Sequence, residues 1–450
     1  MGIEFRQVPI RELIAHGMAK LQTGPFGSQL HKHEYVDAGA GVPVIPTEGI
    51  GRGRIRADVN LPYVSVKKAS ELHRHRLQEG DILFARRGIQ ATGLSACVDG
   101  DHVGSLCGTG AILLRVDRSS IHPRFLAAFL ATDAAFNWLR SHAVGAVMPN
   151  LNTDIISGLV VPFPPIQTQI DIGNFVAALD DRIDLLRQTN ATLEAIAQAL
   201  FKSWFVDFDP VHAKAEGREP EAMDAATAAL FPSEFEESEL GPIPKGWRVA
   251  QLAELCSKVQ NGGTPSRKNS EFWEDGEISW FKTGELADGF LLDSSEKITQ
   301  LALERSSAKL LPRYAILMAI YAAPTVGRLG VLSQPSASNQ ACTAMIARVY
   351  VGPWFLFQTL KLGRDWYNNR ANGAAQQNIS KSIVESLPCI EPTRDVLGAF
   401  SNAVGPIYER IELSSQSIAT LATLRDMLLP RLISGKLRLP KTRELVEADA

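Results

Sequence analysis

A long-period internal duplication constrains the fold of this chain more than any other feature of its sequence. The stretch GAVMPNLNTDII at residues 145–156 returns as GAAQQNISKSIV at residues 373–384. The offset between the two starts then continues without an insertion for more than fifty positions, so that Asn150 aligns with Asn378 and Leu200 with Leu428. A repeat with such a period implies two copies of one structural unit.

Upstream of these stretches the two halves are less similar and the offset drifts. LQTG at residues 21–24 resembles VQNG at 259–262, GDILFARRG at 80–88 occupies the place of YAILMAIYA at 314–322, and AILLRV at 111–116 resembles AMIARV at 344–349. Each half therefore has a divergent globular part, here called the first or second lobe, followed by a better-matched C-terminal part. One scaffold with two different surfaces is typical of two readers of different ligands.

The lobes have the sequence pattern of mixed α+β structure. Short β-type runs such as DILFA, GAILLRV and LGVLS are separated by Gly and Pro, and helical stretches such as HPRFLAAFLATDAAFNWLRS lie between them. The fold class predicted is α+β, with two such lobes separated by two long antiparallel coiled-coil helices in a pseudo-twofold repeat.

The better-matched parts predict those helices, because apolar residues recur there at alternating spacings of three and four. The first stripe consists of Val176, Leu179, Ile183, Leu186, Asn190, Leu193, Ala197, Leu200 and Trp204. The same register in the second copy gives Val404, Ile407, Ile411, Ser414, Ile418, Leu421, Arg425, Leu428 and Leu432. Each stripe alone could pack on its own domain, but two stripes in register favour helices that pack on one another.

These patterns divide the chain into five predicted regions. They are the first lobe at 1–165, a helical spacer at 166–208, an acidic linker at 209–242, the second lobe at 243–392 and a second helical spacer at 393–437. From Val176 to Trp204 a helix would extend roughly 42 Å at about 1.5 Å per residue. Lobes held that far apart could enter successive major grooves of a DNA duplex, whose turn is about 34–36 Å.

The charge distribution leaves DNA binding open, although the net charge is −3. Residues 207–239 contain ten acidic and two basic residues, a local balance of −8, so the remainder of the chain carries +5.

No apolar run approaches the ~20 residues of a membrane span, and the first residues do not resemble a signal peptide. The five cysteines are scattered without a CxxC pair, which favours reduced thiols and a cytoplasmic location.

The sequence lacks the motifs of the catalytic classes that act on DNA. It has no Asp/Asn-Pro-Pro-aromatic motif for a flipped base, no acidic residue two positions before a lysine as nucleases of the PD-(D/E)xK type require, and no GxxxxGK[ST] phosphate loop. The histidine pairs His31/His33 and His73/His75 lack the spacing of a metal site. We therefore expect no catalytic residue, no metal and no cofactor.

Candidate DNA-contacting residues are those that could hold phosphates or base edges. In the first lobe they are Arg52, Arg54, Arg56, Lys67, Lys68, Arg74, Arg76, Arg86 and Arg87. In the second lobe they are Arg267, Lys268, Lys282, Arg328, Asn339, Gln340, Gln376 and Gln377. For each of these residues the alternative is a solvated surface side chain.

Several stretches resemble one known family. LEAIAQALFKSWFVDFDPVHAKAEGREP followed by LGPIPKGW is similar to the central region of specificity (S) subunits of Type I restriction–modification systems, as are SNQACTAMI, QQNISKSIV and GPFGSQL. The resemblance implies two domains that each read one half of a bipartite gapped target in double-stranded DNA. It further implies helices that space these domains and dock two methyltransferase (M) subunits. Restriction (R) subunits would join through the methyltransferases, and this chain would have no catalysis of its own.

The aromatic residues Phe201, Trp204 and Phe205 fit two interpretations. They could stack on bases, but the pattern favours an apolar anchor at a helix end that, with the seam residues, also docks the partner subunits. Two other functions remain open at this stage. The chain could be a bivalent adaptor that holds two protein partners without binding DNA, or a fused methyltransferase that binds its own cofactor.

Overall fold

The computed structural model describes residues 5–145, 147–321, 325–371 and 378–439. The chain forms two compact units. Unit 1 comprises Met1–Ile183 and Thr420–Ala450, and unit 2 comprises Asp184–Ala419. The division falls inside two long helices, so each unit contains one part of both helices together with one lobe.

The helices and strands described in the first lobe are short, and one long helix, α6, follows the lobe. The helices are α1 (Ile10–Ala15), α2 (Val66–Glu71), α3 (Pro123–Leu130), α4 (Asp133–His142), α5 (Thr153–Gly158) and α6 (Ile166–Phe205). The strands are β1 (Arg6–Pro9), β2 (Ala19–Thr23), β3 (Tyr35–Val36), β4 (Val42–Ile45), β5 (Gly53–Arg54), β6 (Tyr63–Val64), β7 (Ile82–Ala85), β8 (Ser95–Cys97), β9 (Leu106–Cys107), β10 (Ala111–Val116) and β11 (Val160–Phe163).

The second lobe has the same pattern of short elements followed by one long helix. The helices are α7 (Asp209–Ala215), α8 (Ala225–Ala229), α9 (Leu252–Leu255), α10 (Gln300–Arg305), α11 (Pro353–Leu362), α12 (Arg364–Arg370), α13 (Lys381–Glu385) and α14 (Arg394–Ile433). The strands are β12 (Phe235–Glu236), β13 (Ile243–Pro244), β14 (Arg248–Gln251), β15 (Cys256–Asn261), β16 (Ile278–Phe281), β17 (Gly289–Leu291), β18 (Lys297–Ile298), β19 (Ile316–Ala319), β20 (Leu329–Leu332), β21 (Ala337–Ser338), β22 (Cys342–Ala347) and β23 (Pro388–Glu391).

The main sheets of the two lobes have the same topology. The strand order is β2-β10-β7-β8-β5 in the first lobe and β15-β22-β19-β20-β17 in the second. In both sheets the first four strands pair antiparallel and the last pair is parallel. A two-stranded sheet also recurs, as β1-β11 and β14-β23. Shared strand order and strand direction confirm the predicted internal repeat and the α+β class.

The smaller sheets show how the copies have diverged. The first lobe has a four-stranded sheet, β3-β6-β4-β9, whereas the second has a three-stranded sheet, β18-β16-β21. The pairs β4–β9 and β16–β21 are both parallel and correspond to one another. The strand β3 has no counterpart in the three-stranded sheet, so this part of the scaffold differs between the lobes.

The two long helices are copies of one another. Helices α6 and α14 each contain 40 residues, and their first residues, Ile166 and Arg394, are separated by the same offset as the duplicated stretches. Gly435, with a φ of 72°, lies just beyond the end of α14, and its N–H donates to the carbonyl of Leu432. A left-handed glycine at this position is a common helix stop.

Within each unit the two helices run antiparallel. In unit 1, Asp180 of α6 pairs with Arg425 of α14, and Ile172 packs near Leu432 and Ile433. In unit 2, Asn190 of α6 donates from Nδ2 to Ser415 Oγ of α14 at 3.2 Å. In unit 1 the step from Asp180 back to Ile172 on α6 thus goes with a step forward on α14, from Arg425 to Leu432. In unit 2 the advance from Asn190 to Phe201 goes with a step back on α14, from Ser415 to Phe400. The seam positions are buried or half-buried in both helices, as expected for a coiled-coil interface.

Candidate nucleic-acid interface

Three of the predicted first-lobe cations have acidic partners within the first lobe itself. Arg52 donates from Nε to the Ala131 carbonyl and pairs with Asp133 at 2.6 Å. Arg56 pairs with Asp58 at 2.6 Å, and Lys68 with Glu34 at 2.7 Å. Such partners lower the positive charge that these side chains offer to a phosphate. Ion pairs on an exposed surface are weak, so DNA phosphates could still compete for the same cations.

Arg54 faces the helix pair within unit 1. Its guanidinium lies 3.6 Å from Asp180 Oδ2 on α6, and Asp180 Oδ1 accepts a hydrogen bond from Arg425 on α14 at 2.6 Å. This chain of contacts connects β5, α6 and α14. The contacts give Arg54 a structural role, that of attaching the lobe to the helices.

Arg86 and Arg87 have different environments although they are adjacent. Arg86 donates from Nε to Asn150 Oδ1 at 3.0 Å, which connects the loop after β7 to the duplicated stretch at residues 145–156. The backbone of Arg87 forms an isolated bridge with Asn150, whereas its side chain is exposed. Of the two, Arg87 is therefore the residue available to a ligand.

The remaining first-lobe candidates lie on or next to a short turn at His73–His75. Lys67, Arg74 and Arg76 have exposed side chains, and the Arg76 carbonyl accepts a hydrogen bond from Arg115. Arg74 lines a cleft together with Lys20, Gln22, Phe26, Gln29 and Arg115. None of these five neighbours was among the predicted DNA contacts. The duplicated LQTG/VQNG signal at residues 21–24 contains one of them, Gln22, and GPFGSQL at residues 24–30 contains two more, Phe26 and Gln29.

In the second lobe one carboxylate pairs with two predicted cations. Glu296 pairs with Arg267 and accepts from Lys282 Nζ at 2.5 Å. These contacts, with the Lys282 hydrogen bond foremost, lower the pKa of Glu296. Arg267 also lies over the ring of Trp273 at 3.6 Å. Glu296 thus connects the segment before β16, which carries Arg267, with Lys282 directly after this strand.

Of the other second-lobe candidates, Asn339 lies next to Lys282, because its N–H donates to the Phe281 carbonyl at 3.0 Å. Lys268 is exposed and Arg328 is half-buried. Gln340 accepts from Thr264 Oγ1, and Asn339 Oδ1 is buried without a hydrogen-bond partner among the residues the structure describes. Gln376 and Gln377 lie outside the described residues.

The aromatic residues Phe201, Trp204 and Phe205 are buried in the core of unit 2. Phe205 contacts Phe355 and Phe400 edge-on, with ring centroids 5.0 Å apart in both pairs. These residues are the apolar anchor that the sequence favoured over base stacking. Because their side chains are buried, they do not offer a surface to a partner subunit.

The long helices carry exposed apolar residues at duplicated positions. Leu185 and Leu413, which are related by the offset of the duplication, are 52% and 56% exposed. Ile196 and Leu424 are related in the same way and are 45% and 42% exposed. Large apolar side chains exposed on a helix often mark an interaction site when several occur together. Helices α6 and α14 therefore each have exposed apolar side chains at the same two equivalent positions.

The acidic segment after α6 is partly folded against the second lobe. Val211 of α7 and Phe231 after α8 are buried in unit 2, and Lys214 Nζ donates to the carbonyl of Ala228 at 3.0 Å. Many carboxylates of this segment are exposed. The segment therefore adds negative charge to the surface of unit 2.

Two further observations concern metal ions and membranes. In residues 5–145, 147–321, 325–371 and 378–439, no group of three or more His, Cys, Asp or Glu side chains is placed to hold a metal ion. No helix in this described part of the chain combines the length and the apolar character needed to span a membrane.

Two segments of the chain match the same family model, the Type I restriction modification DNA specificity domain. The segments are residues 38–195 and 244–393, one from each half of the duplication. The chain belongs to this family. The resemblance found in the sequence is thereby confirmed, and the two matches confirm that the repeat is a repeat of this domain.

Relatives with established names agree. The chain is 28% identical over 407 residues to the Type I restriction enzyme HindI specificity subunit of Haemophilus influenzae, covering 80% of this chain and 87% of that one. It is 24% identical over 326 residues to the Type I restriction enzyme MjaIX specificity subunit of Methanocaldococcus jannaschii, covering 72% and 71%.

One solved structure supports the fold. The S subunit of a Type I restriction–modification system from M. genitalium aligns with a TM-score of 0.61 and 14% sequence identity, over 96% of both chains. At this identity the likeness concerns the fold alone. Together with the family match, it identifies the chain as a specificity subunit, whose part in a restriction system is to recognise DNA sequence and not to catalyse a reaction.

Proposed function

We propose that this chain reads a bipartite, gapped sequence in double-stranded DNA, with one half of the target bound by each lobe. The observation that carries this proposal is the recurrence of one five-stranded sheet topology in both lobes. A duplicated scaffold can present two reading surfaces, and different side chains on them would select different half-targets. The functional regions of the proposal are those predicted at 1–165, 166–208, 209–242, 243–392 and 393–437.

Differences between equivalent positions support two distinct reading surfaces. In the first lobe Arg115 of β10 pairs with buried Asp81. The β pairing places Ile346 at the position of Arg115, which corrects by two residues the alignment of AILLRV with AMIARV, where Arg115 matched Arg348. Ala315 precedes β19 where Asp81 precedes β7. An ion pair in one lobe is thus replaced by two apolar residues in the other. Since base contacts specify sequence, lobes that have different side chains at equivalent positions should not read the same bases.

The duplicated helices support docking of two methyltransferase subunits. Leu185 with Ile196, and Leu413 with Leu424, give α6 and α14 equivalent exposed apolar positions. Two copies of one surface fit two copies of one partner, one on each helix. Restriction subunits would join the assembly through the methyltransferases. Seam residues such as Ile183 and Leu186 are buried, so their part is to hold the helices together.

The antiparallel helices are proposed to set the length of the gap. A heptad inserted into both helices, between Gln188 and Thr189 and between Gln416 and Ser417, keeps the seam in register because these points lie opposite each other. The insertion adds about 10.5 Å, which corresponds to about three base pairs of DNA. We expect the gap in the methylated motif to lengthen by about that amount and both half-targets to stay the same. Altered half-targets with the original gap would refute the role of the helices as a spacer.

The bipartite target is tested by methylation mapping. The chain is expressed with its methyltransferase subunits in a host that lacks other methyltransferases, and modified bases are located by single-molecule sequencing. We expect one asymmetric motif with an internal gap, modified on both strands. A short contiguous motif, or a motif that persists without this chain, would contradict the proposal. The double variant Leu185→Asp/Leu413→Asp should abolish methylation and leave the isolated chain folded, whereas the same change at exposed Leu310 should have no effect.

A further inference from the structure

A cleft on the main sheet of the first lobe has the properties of a binding site, and neither the sequence nor the family match assigns it a ligand. It encloses about 630 Å³. Its floor is formed by β2 and β10, where Lys20 lies beside Arg115 and Gln22 beside Leu113. One wall is the turn at His73–His75, and the opposite rim is the loop after β2 that carries Phe26.

The residues that line the cleft include three cations, Lys20, Arg74 and Arg115, and no acidic residue. Arg115 is held from below by Asp81, which is 2% exposed, through bonds of 2.7 and 2.6 Å. The side chains of Lys20 and Arg74 are exposed and form no ion pair or hydrogen bond with any other described residue. Two free cations therefore flank a third that is fixed in place.

Gln22 positions the turn that carries Arg74. Its Nε2 donates to the Arg74 carbonyl at 2.9 Å and reaches His75 Nδ1 at 3.0 Å. The turn is thereby tied to the floor of the cleft, which keeps the Arg74 side chain at its edge. A preorganised cation costs less conformational entropy on binding than one on an untethered loop.

Phe26 adds an apolar group at the rim. Its side chain is 59% exposed, yet its backbone is ordered, because its N–H donates to Gln29 Oε1 at 3.0 Å. An exposed aromatic ring beside unpaired cations is suited to a ligand that is anionic on one side and flat or apolar on the other. A nucleic acid has both surfaces, with phosphates outside and sugars and bases inside.

The second lobe shows which of these features are shared. Lys258 and Gln260 of β15 occupy the positions of Lys20 and Gln22, since Gln260 pairs with Ala344 as Gln22 pairs with Leu113. Lys258 is also exposed. Arg115 and Phe26, by contrast, are replaced by Ile346 and Thr264. Phosphate contacts carry no sequence information, so both lobes can keep them, whereas contacts that discriminate between bases must differ.

From this division we propose that Lys20 and Arg74 hold backbone phosphates of the first half-target in this cleft, while Phe26 contacts a base or sugar and contributes to specificity. Lys258 holds a phosphate in the equivalent place on the second lobe. This inference rests on the proposed function and assigns it a definite surface. The predicted candidate Arg74 belongs to this surface; Lys20, Phe26 and Lys258 are added to it.

The test measures DNA binding by the full complex with methyltransferase subunits over a range of salt concentrations. The probes are a duplex carrying the motif found by methylation mapping and duplexes with one half-target scrambled. We expect Lys20→Gln/Arg74→Gln to weaken binding to all of these probes by about 10- to 100-fold and to lower the slope of log K against log salt by about 2. Lys258→Gln should lower the slope by about 1. Arg11→Gln, at an exposed position on α1 outside the cleft, is the matched control and should change neither quantity.

Phe26→Ala separates specificity from affinity. It should reduce by about tenfold the preference for the correct first half-target over its scrambled version. The salt slope and the preference for the correct second half-target should not change. If the wild-type complex binds its motif but the double cation variant keeps both affinity and salt slope, the cleft assignment is wrong and the proposed function stands. An increase in aggregation of Lys20→Gln with unchanged DNA binding would show instead that this lysine protects a sheet edge. If the wild-type complex itself shows no sequence-dependent binding, the proposed function fails.

Discussion

The two junctions between lobe and helix pair are built on the same positions but filled with different side chains. In unit 1 the junction is aliphatic and contains Ile172, Leu429, Leu432 and Ile433. At the equivalent positions of the duplication, unit 2 has the aromatic residues Phe400, Phe201, Trp204 and Phe205. Phe125 of α3 and Phe355 of α11 are the equivalent contacts from the lobes.

The larger rings in unit 2 are accommodated by additional neighbours. Phe231, from the acidic segment after α6, packs edge-on against Trp204 with ring centroids 5.2 Å apart. The ring centroid of Trp247 lies 5.9 Å from that of Phe205. The segment that is acidic on its surface thus contributes apolar residues to the core. Backbone geometry was therefore retained after duplication, while the side-chain volume at each junction changed with its local surroundings.

The greatest loss of stability is expected when a large buried side chain is truncated at either junction. The two losses can then be compared. Phe400→Ala should destabilise unit 2 by about 3–5 kcal/mol, because it leaves a cavity among several rings. Ile172→Ala should destabilise unit 1 by about 2–4 kcal/mol. Hydrogen exchange measured residue by residue can assign each loss to a unit, since a chain with two units need not unfold in one step. If either variant raises exchange equally in both units, the junctions are not independent.

A smaller effect is expected from the ion pair that only the first lobe possesses. Asp81→Ala removes the partner of Arg115 and an acceptor for the Gln78 N–H. It should destabilise the first lobe by about 1–3 kcal/mol, a range that allows for the partial exposure of Arg115.

The double variant Asp81→Ala/Arg115→Ile copies the second lobe, which has Ala315 and Ile346 at these positions. It should recover much of the loss, since apolar residues can replace a buried ion pair with little cost. Denaturant unfolding followed by exchange in β7 and β10 provides the measurement. A double variant that is less stable than Asp81→Ala would show that the two lobes are not interchangeable here.

The least pronounced effect concerns pH and the turn beside the cleft. Partial burial, and then the charge of Arg74, lowers the pKa of His75, so folding favours the neutral ring. As pH falls through the ordinary histidine range near about 6.5, the unfolded chain takes up the proton first, and the first lobe loses stability. His75→Gln should therefore show a smaller fall in unfolding midpoint on acidification from neutral pH than the wild type. An equal fall of the unfolding midpoint in both proteins would show that protonation of His75 does not cause the loss of stability.

Much of the helical framework could be predicted from the sequence. The heptad stripes from Val176 and from Val404 lie on the buried or half-buried side of α6 and α14, and the offset of the duplication recurs in the first residue of each helix. Periodicity is a local property of an amphipathic helix, so it is visible without knowledge of the partner. Tyr408 and Glu412 of α14 are buried by contacts with the second lobe and could not be found from the stripe.

The interface residues were harder to predict because charge alone does not show what a side chain contacts. Arg54 and Arg267 carry the same charge as Arg74, but the first lies against Asp180 and the second pairs with Glu296. Both partners are too distant in the sequence for any local pattern to connect them with these arginines. Lys20 lies in no motif, and Phe26 lies in the family-like stretch GPFGSQL, which does not by itself show that its ring lines a cleft.

The duplication, the α+β class, the antiparallel helix pair and membership of a specificity-subunit family could all be read from the sequence, because each follows from patterns that repeat along the chain. Which cations remain unpaired, and which surfaces they share, is visible only in the folded molecule. An ion pair or a cleft depends on distances between residues that are far apart in the sequence. Lys20, Gln22 and Arg74 form one surface only because β2 and the turn after α2 are brought together by the fold.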